Sequence, residues 1–291
     1  MTTMLGTIAG DFIGSVYEFN NTKDYDFPLF SEGCSYADDS VVTMAVAEWL
    51  LTDQSCGQDT LVQCMADWGN RFPYPLGGYG GGFSRWLFMP EHLSDYGTGE
   101  SLGERHPYGS FGNGSAMRVG PVGWFFDSLE EMERVAKISA EVTHNHPEGI
   151  KGAQATALAI WMARNGRTKK EIRKYIQKKF GYDLERSWKG LHENYAWDGS
   201  CQGTVPEAMI AFLESCNFED AIRKAVCMGG DSDTLAAITG SIAEAFYGGV
   251  PEYIAQPIIT TLPPEFLRVL ADFSVLCFNK FSDFFLAHSK T

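Results

Sequence analysis

The sequence lacks several features typical of secreted or membrane-bound proteins. Its seven cysteines are scattered, odd in number and contain no C-x-x-C pair, which indicates reduced thiols. The N-terminus has no positively charged segment, and Gly10 and Asp11 interrupt its apolar residues, so it does not resemble a signal peptide. No apolar run approaches the length of a membrane span. We therefore expect a cytoplasmic protein that does not bind membranes.

Basic residues are also few. The 291 residues include 23 Lys plus Arg against 37 Asp plus Glu, which gives a formal net charge of −14 and a pI near 4.8. Such a negative field repels phosphate backbones, so we expect no general binding of nucleic acids. A small anionic substrate would need local help from a bound metal, a helix N-terminus or a few cations.

The alternation of apolar and polar residues that is typical of strands is absent too, whereas helical periodicity recurs along the chain. Residues 39–51, 129–142 and 172–180 each place their apolar side chains on one face of a helix. No repeat, low-complexity tract or clear linker divides the sequence. We predict an all-α fold in a single domain that covers residues 1–291.

Some helix boundaries can be predicted from local motifs. Gly181 is expected to end the helix that precedes it. Thr204 and Glu207 match a capping box, which predicts that a helix begins there. Asn217 is expected to cap the next helix.

Two longer segments differ from these amphipathic helices. Residues 147–163 are rich in Gly and Ala, which predicts a central core helix that its neighbours approach closely. Residues 72–114 are rich in Gly, Pro and aromatics and are predicted to form an irregular, functional stretch.

Two acidic clusters, far apart in sequence, each precede an apolar-striped helix. The first contains Asp38 and Asp39, and the second contains Asp231, Asp233 and Thr234. Asp, Ser and Thr are common N-caps, so capping is one interpretation of each cluster. Metal binding is the other, because adjacent carboxylates repel one another unless a cation neutralises them. Hard oxygen ligands suit Mg²⁺, Mn²⁺ or Ca²⁺.

Three further segments contain residue types that are common in functional sites. Residues 108–118 alternate glycine with other residues, which leaves backbone N–H groups free to bind phosphate, and Phe111 there can stack on a base or a ribose. Residues 143–147 contain His144 and His146, whose spacing is not that of a zinc site. Residues 10–18 have an acid at each end, and for Asp11 packing between helices is the favoured interpretation, more so than for Glu18.

Taken together and in this order, the five segments resemble the ADP-ribosylglycohydrolase family, which includes arginine- and serine-directed ADP-ribosylhydrolases. The resemblance extends from Leu5 to Gly249, and the ordered set is far more specific than any single motif. It implies a compact all-α fold around two Mg²⁺ or Mn²⁺ ions. It also implies a hydrolase whose partner is an ADP-ribosylated protein or a small ADP-ribose conjugate.

The resemblance implies roles for individual residues. Glu18 matches a mobile glutamate near the metals, and Asp38 and Asp231 complete the candidate catalytic set. The expected metal ligands are Asp38, Asp39, Asp231, Asp233 and Thr234. The expected substrate-binding residues are Gly109, Ser110, Phe111, Gly112, Asn113, Gly114, Met117 and His144.

One position departs from the family pattern. The family usually has Thr-Asp-Asp-Thr, whose first hydroxyl ligates a metal, but Ala37 stands there in this chain. The departure predicts a weakened metal site, and it keeps open the alternative of a weakened or inactive relative that binds ADP-ribose. A haloacid dehalogenase-type phosphatase fits less well, because its motif follows a buried strand. A terpene synthase fits less well too, because it needs a further carboxylate shortly after Asp39.

The implied chemistry is hydrolysis of a glycosidic bond at the anomeric carbon. Departure of the leaving group gives an oxocarbenium-like transition state. Two divalent ions can hold the ribose hydroxyls and lower the pKa of a water molecule, while Glu18 assists proton transfer. The sequence does not identify the acceptor to which the ADP-ribose is attached.

Overall fold

The structure, a computed structural model, describes residues 3–94 and 101–288, with side chains for residues 3–94 and 103–278. The predicted all-α fold is confirmed. The helices are α1 Leu5–Gly14, α2 Asp38–Thr52, α3 Gln58–Arg71, α4 Gly81–Phe88, α5 Gly114–Met117, α6 Gly120–Phe125, α7 Leu129–Glu141, α8 Pro147–Arg164, α9 Lys169–Phe180, α10 Trp188–Asn194, α11 Cys201–Leu213, α12 Phe218–Val226, α13 Ser232–Tyr247, α14 Glu252–Ile259 and α15 Pro264–His288.

Residues 72–114 are predicted to be irregular, but the described part of this stretch contains short regular elements. It contains α4, a 3₁₀ turn at Pro90–His92 and two short antiparallel strands, β1 Leu93–Ser94 and β2 Ser101–Gly103. The prediction missed them because each element is too short to show a period. Residues 95–100 of this stretch lie outside the described part.

Helix α1 packs against α13 through glycines. A Cβ atom at Gly6 would lie 2.3 Å from the carbonyl oxygen of Gly240, and one at Gly14 would lie 2.5 Å from the Cα atom of Asp233. Because real Cβ atoms essentially never come so close, this approach requires glycine at both positions. The close contact places Asp11, in the last turn of α1, beside the start of α13.

The helix-end predictions have mixed outcomes. Gly181 has φ 72° and ends α9, and the Asn217 side chain accepts a hydrogen bond from the backbone N–H of Asp220, so both predictions are confirmed. The capping box at Thr204 is wrong: α11 begins at Cys201, and the Ser200 side chain caps it. The Thr204 hydroxyl instead donates to the carbonyl oxygen of Asp198.

The Gly- and Ala-rich segment forms α8, most of which is buried, as predicted. It packs against α5, α6, α7, α9, α11 and α13. At Gly152 a Cβ atom would lie 2.3 Å from the Cys201 Sγ atom, so the small residue lets α11 approach. Within the described part of the chain, no helix is both long and apolar enough to cross a membrane.

Candidate active site

A cavity of about 440 Å³ opens where the starts of α2, α5 and α13 meet. This volume lies in the range of small-molecule sites. Its walls include most of the residues that the five sequence segments singled out. Those predicted residues are Glu18, Asp38, Ser110, Gly112, Asn113, Gly114, Met117, His144, Asp231, Asp233 and Thr234.

Carboxylates form the floor of the cavity in two groups. One oxygen from each of Asp11, Asp39 and Asp233 lies within 4.8 Å of the others, and the same holds for Glu18, Asp231 and Asp233. Asp233 belongs to both groups. The structure thus brings together carboxylates from both acidic clusters and from residues 10–18.

Hydrogen bonds argue against simple capping. Asp231 is the N-cap residue of α13, but its side chain makes no capping hydrogen bond. Its Oδ2 atom instead accepts a hydrogen bond of 2.7 Å from the Nδ2 atom of Asn113. At the start of α2 the N-cap residue is Ala37, which has no side-chain acceptor. Neither α2 nor α13 is therefore capped by the side chain of its own N-cap residue.

The acidic floor is electrostatically unfavourable in the absence of a cation. Burial and the neighbouring carboxylates raise the pKa of Asp38, Asp39 and Asp233 well above the usual value. Burial raises the pKa of Asp11 to about 7, and burial together with the charges of Asp231 and Asp11 raises the pKa of Glu18 to about 7. Carboxylates held so close together keep their protons or bind a cation.

Two buried oxygens in this floor have no hydrogen-bond partner among the described residues. They are the Oδ1 atoms of Asp11 and Asp39. The opposite oxygen of each carboxylate is occupied: Asp11 Oδ2 accepts from the backbone N–H groups of Ala37 and Ser40 and from the Ser40 hydroxyl. Asp39 Oδ2 accepts from the Thr234 hydroxyl. Unpartnered carboxylate oxygens suit a hard divalent cation, so the acidic groups fit a metal site.

The glycine-rich segment forms the wall beside α5. Not all its N–H groups are free, since Gly109 donates to the Asn145 side chain, Gly112 to the Ser110 hydroxyl and Asn113 to the carbonyl oxygen of Gly199. These three N–H groups therefore hold the segment in its conformation and are not free to bind phosphate.

Comparison with known proteins gives a consistent result. Residues 1–278 match the sequence profile of the ADP-ribosylglycohydrolase family. The chain belongs to this family. The ADP-ribosylhydrolase ARH3 of Homo sapiens is 26% identical, over 86% of this chain and 86% of the relative. The ADP-ribosylarginine hydrolase Tri1 of Pseudomonas putida is 25% identical, over 92% of this chain and 73% of the relative.

A solved structure supports the fold. The chain matches an ADP-ribosylglycohydrolase-related protein complex with a TM-score of 0.68 and 22% identity, over 94% of this chain and 96% of the other. The resemblance in the ordered motifs is thereby confirmed. Membership of the family indicates an enzyme that removes ADP-ribose by hydrolysis.

Three of the predicted site residues do not line the cavity. Asp39 is buried beneath it and belongs to the acidic floor. The Gly109 N–H is used by Asn145, and the Phe111 ring is 45% exposed against His146. Their predicted contacts with substrate remain predictions.

The sequence prediction misses several residues of the floor and the mouth of the cavity. It favours packing between helices for Asp11, yet Asp11 is fully buried in the acidic floor. The sequence does contain a signal for Asp11, because a carboxylate within the largely apolar α1 contributes nothing to hydrophobic packing. The mouth of the cavity also includes Phe19, Trp197 and residues 77–83, whose placement depends on long-range contacts.

Proposed function

We propose that this chain is a metal-dependent hydrolase that removes ADP-ribose from a modified protein side chain or a small ADP-ribose conjugate by attack at the anomeric carbon. The observation that carries the proposal is the pair of carboxylate groups that share Asp233 beside a cavity of ligand size. Two divalent ions, Mg²⁺ or Mn²⁺, would be held there by Asp11, Asp39 and Asp233 on one side and by Glu18, Asp231 and Asp233 on the other.

The acidic residues and the cavity wall have separate tasks in this proposal. When bound, the metals supply Lewis acidity next to the ribose. The Glu18 carboxylate is partly exposed and lines the cavity, so it can accept a proton from the attacking water and return it to the leaving group. The Asn113 side chain orients the Asp231 carboxylate. Asp38 and Thr234 complete the wall at the starts of α2 and α13.

The test follows free ADP-ribose released from arginine- and serine-ADP-ribosylated peptides, with Mg²⁺, with Mn²⁺ or with EDTA. We expect metal-dependent release from at least one peptide. Asp233→Asn should lower the rate by at least about a hundredfold, because this change removes a carboxylate common to both groups. Bound metal per chain should fall in the same variant.

The matched control is Asp183→Asn, an identical change at an exposed site outside the cavity. It should leave both the rate and the metal content unchanged. Full activity in EDTA, or in a folded Asp233→Asn protein, would contradict the metal assignment. Binding of ADP-ribose without release from any modified acceptor would instead favour an inactive relative, for which Ala37 is the specific reason.

A further inference from the structure

Two aromatic side chains at the mouth of the cavity are exposed. Among the described residues that line the cavity, Phe19 is 74% and Trp197 is 52% exposed, whereas the other large aromatic side chains are buried or half-buried. The two exposed rings stack, with their centroids 6.0 Å apart and their planes 18° apart. Paired aromatic rings that are open to solvent beside a pocket indicate a surface that a ligand covers.

The Phe19 ring lies beside the Glu18 carboxylate. A Cβ atom at Gly77 would collide with the Oε2 atom of Glu18 and would lie 3.7 Å from the Cε2 atom of Phe19. The Asn21 side chain holds this segment in place. Its Nδ2 atom donates to the carbonyl oxygens of Glu18 and Gly230, and its Oδ1 atom accepts from the Gly230 N–H. The ring is therefore fixed next to the group that transfers a proton in the proposed reaction.

The Trp197 ring lies beside the Asp231 carboxylate. A Cβ atom at Gly199 would lie 3.9 Å from the Oδ2 atom of Asp231 and 3.9 Å from the Nε1 atom of Trp197. The Asn113 backbone N–H donates to the carbonyl oxygen of Gly199 at 2.8 Å, and the Asn113 side chain donates to Asp231. Asn113 thus connects the segment that carries the indole to the carboxylate.

The acceptor must pass this aromatic surface. In the proposed reaction the bond that breaks lies against the acidic floor, where Glu18 returns a proton to the leaving group. The rest of a modified protein stays in solvent, so its acceptor side chain crosses the mouth of the cavity. Phe19 directly follows Glu18 in the chain, which places the two rings on the path of the acceptor.

The charges around this surface favour a cation. Six carboxylates form the floor and the adjoining wall, those of Asp11, Glu18, Asp38, Asp39, Asp231 and Asp233. Two divalent ions would neutralise four of their negative charges, which leaves an excess of two. The faces of aromatic rings also attract cations, and the face of Trp does so most strongly. A guanidinium combines a positive charge with a flat shape that stacks on such a face.

We propose that Phe19 and Trp197 bind the acceptor group, and that they select the guanidinium of an ADP-ribosylated arginine over an uncharged acceptor such as serine. The inference rests on the proposed function, whose acceptor it specifies. A serine acceptor offers the rings neither a charge nor a plane, so it gains little from them.

The test compares two ADP-ribosylated peptides that differ only in the modified residue, arginine or serine. The measured quantity is the ratio of their kcat/KM values for release of ADP-ribose with Mg²⁺. We expect a ratio of at least about tenfold in favour of arginine. Because both peptides use the same floor and the same ADP-ribose contacts, the ratio cancels the effect of a substitution on those parts.

Phe19→Leu and Trp197→Leu should each lower this ratio at least about threefold, and the double variant at least about tenfold, because each change removes one aromatic face. Trp197→Tyr keeps an aromatic face, so its ratio should stay within about twofold of the original. Affinity for free ADP-ribose, measured by calorimetry, should stay the same in these variants, because free ADP-ribose has no acceptor.

Tyr175→Leu is the matched control. Tyr175 is 42% exposed on α9 and is not among the described residues that line the cavity. Its loss should leave the ratio unchanged. Circular dichroism of each variant checks folding, and if one of the two single variants does not fold, the other decides.

Two outcomes would overturn the inference while the proposed function stands: release from serine at least as efficient as release from arginine, or a double variant that retains the original ratio. A double variant with weaker affinity for free ADP-ribose would also overturn it, because the rings would then contact ADP-ribose itself. If the original protein releases ADP-ribose from neither peptide, the proposed function fails. The affinities of the intact peptides with Mg²⁺ are then compared, and equal affinities overturn the inference as well.

Discussion

At the scale of single residues, Ala37 is the clearest departure from the family pattern. Its backbone N–H donates to Asp11 and its methyl group is buried beside the acidic floor, at the position where the resemblance implies a hydroxyl. We expect Ala37→Thr to lower the Mg²⁺ concentration for half-maximal activity by about tenfold, which corresponds to about 1.4 kcal/mol, because the substitution adds an oxygen ligand. Metal titration of the release assay measures this shift.

The control for this substitution is Ala37→Val, which has the shape of threonine without its oxygen. A gain in Ala37→Thr that Ala37→Val shares would assign the effect to packing and not to coordination. Equal metal dependence in all three proteins would show that the floor needs no ligand at residue 37.

At the same scale, the sequence pointed to most of the candidate site but not to its connections. Asp231 and Asp233 could be selected because paired carboxylates before a helix are unusual. Asp11 could not be paired with them, because its role depends on the crossing of α1 and α13, whose spacing along the chain exceeds 200 residues. The hydrogen bond from the Arg118 guanidinium to the Thr143 hydroxyl likewise depends on the packing of α5 against α7, which the sequence does not reveal.

At the scale of elements, the contact between α1 and α13 sets the geometry of the acidic floor. A methyl group at Gly14 would lie 2.5 Å from the Cα atom of Asp233, so Gly14→Ala must push the two helices apart. We expect a loss of about 1–3 kcal/mol in the free energy of unfolding, together with weaker metal binding. Denaturant unfolding and metal titration measure the two effects.

Gly81→Ala provides the comparison at the first position of α4, where a Cβ atom would meet nothing within 4 Å. It should leave stability unchanged or raise it by up to about 1 kcal/mol. If Gly14→Ala behaved in the same way, the close approach of α1 and α13 would not control the floor.

Elements with a long apolar stripe were predictable, whereas short ones were not. The helices α7 and α9 follow directly from their periodicity. A helix is also confirmed at α2, but nearly all residues from Asp39 to Leu50 are buried, so the prediction of a single apolar face is wrong there. The sequence predicts the N-cap of α11 four residues late, because both Ser200 and Thr204 are good caps and local sequence does not decide between them. Tertiary contacts decide, since the Thr204 hydroxyl oxygen also accepts from the Asn113 side chain.

At the scale of the whole molecule, buried carboxylates couple stability to pH and to metal. Burial raises the pKa of Glu244 to about 8, and the pKa values of Asp11 and Glu18 are about 7. The folded, metal-free protein therefore binds more protons than the unfolded chain between pH 4 and 8. The contribution of these carboxyl groups to the free energy of unfolding is fully present below their unfolded pKa values and is lost as pH rises through the folded ones.

We therefore expect the melting temperature of the protein in EDTA to fall steadily from pH 5 to pH 9, and excess Mg²⁺ to restore more of it at pH 8 than at pH 6. At the higher pH fewer protons must be displaced from the floor when a cation binds. Glu244 lies outside the cavity and accepts a hydrogen bond from the Gly6 N–H. Glu244→Gln should reduce the pH dependence in EDTA while the Mg²⁺ effect persists. A melting temperature that rises with pH in EDTA would contradict the raised pKa values, and an unchanged one with Mg²⁺ would count against cation binding by this floor.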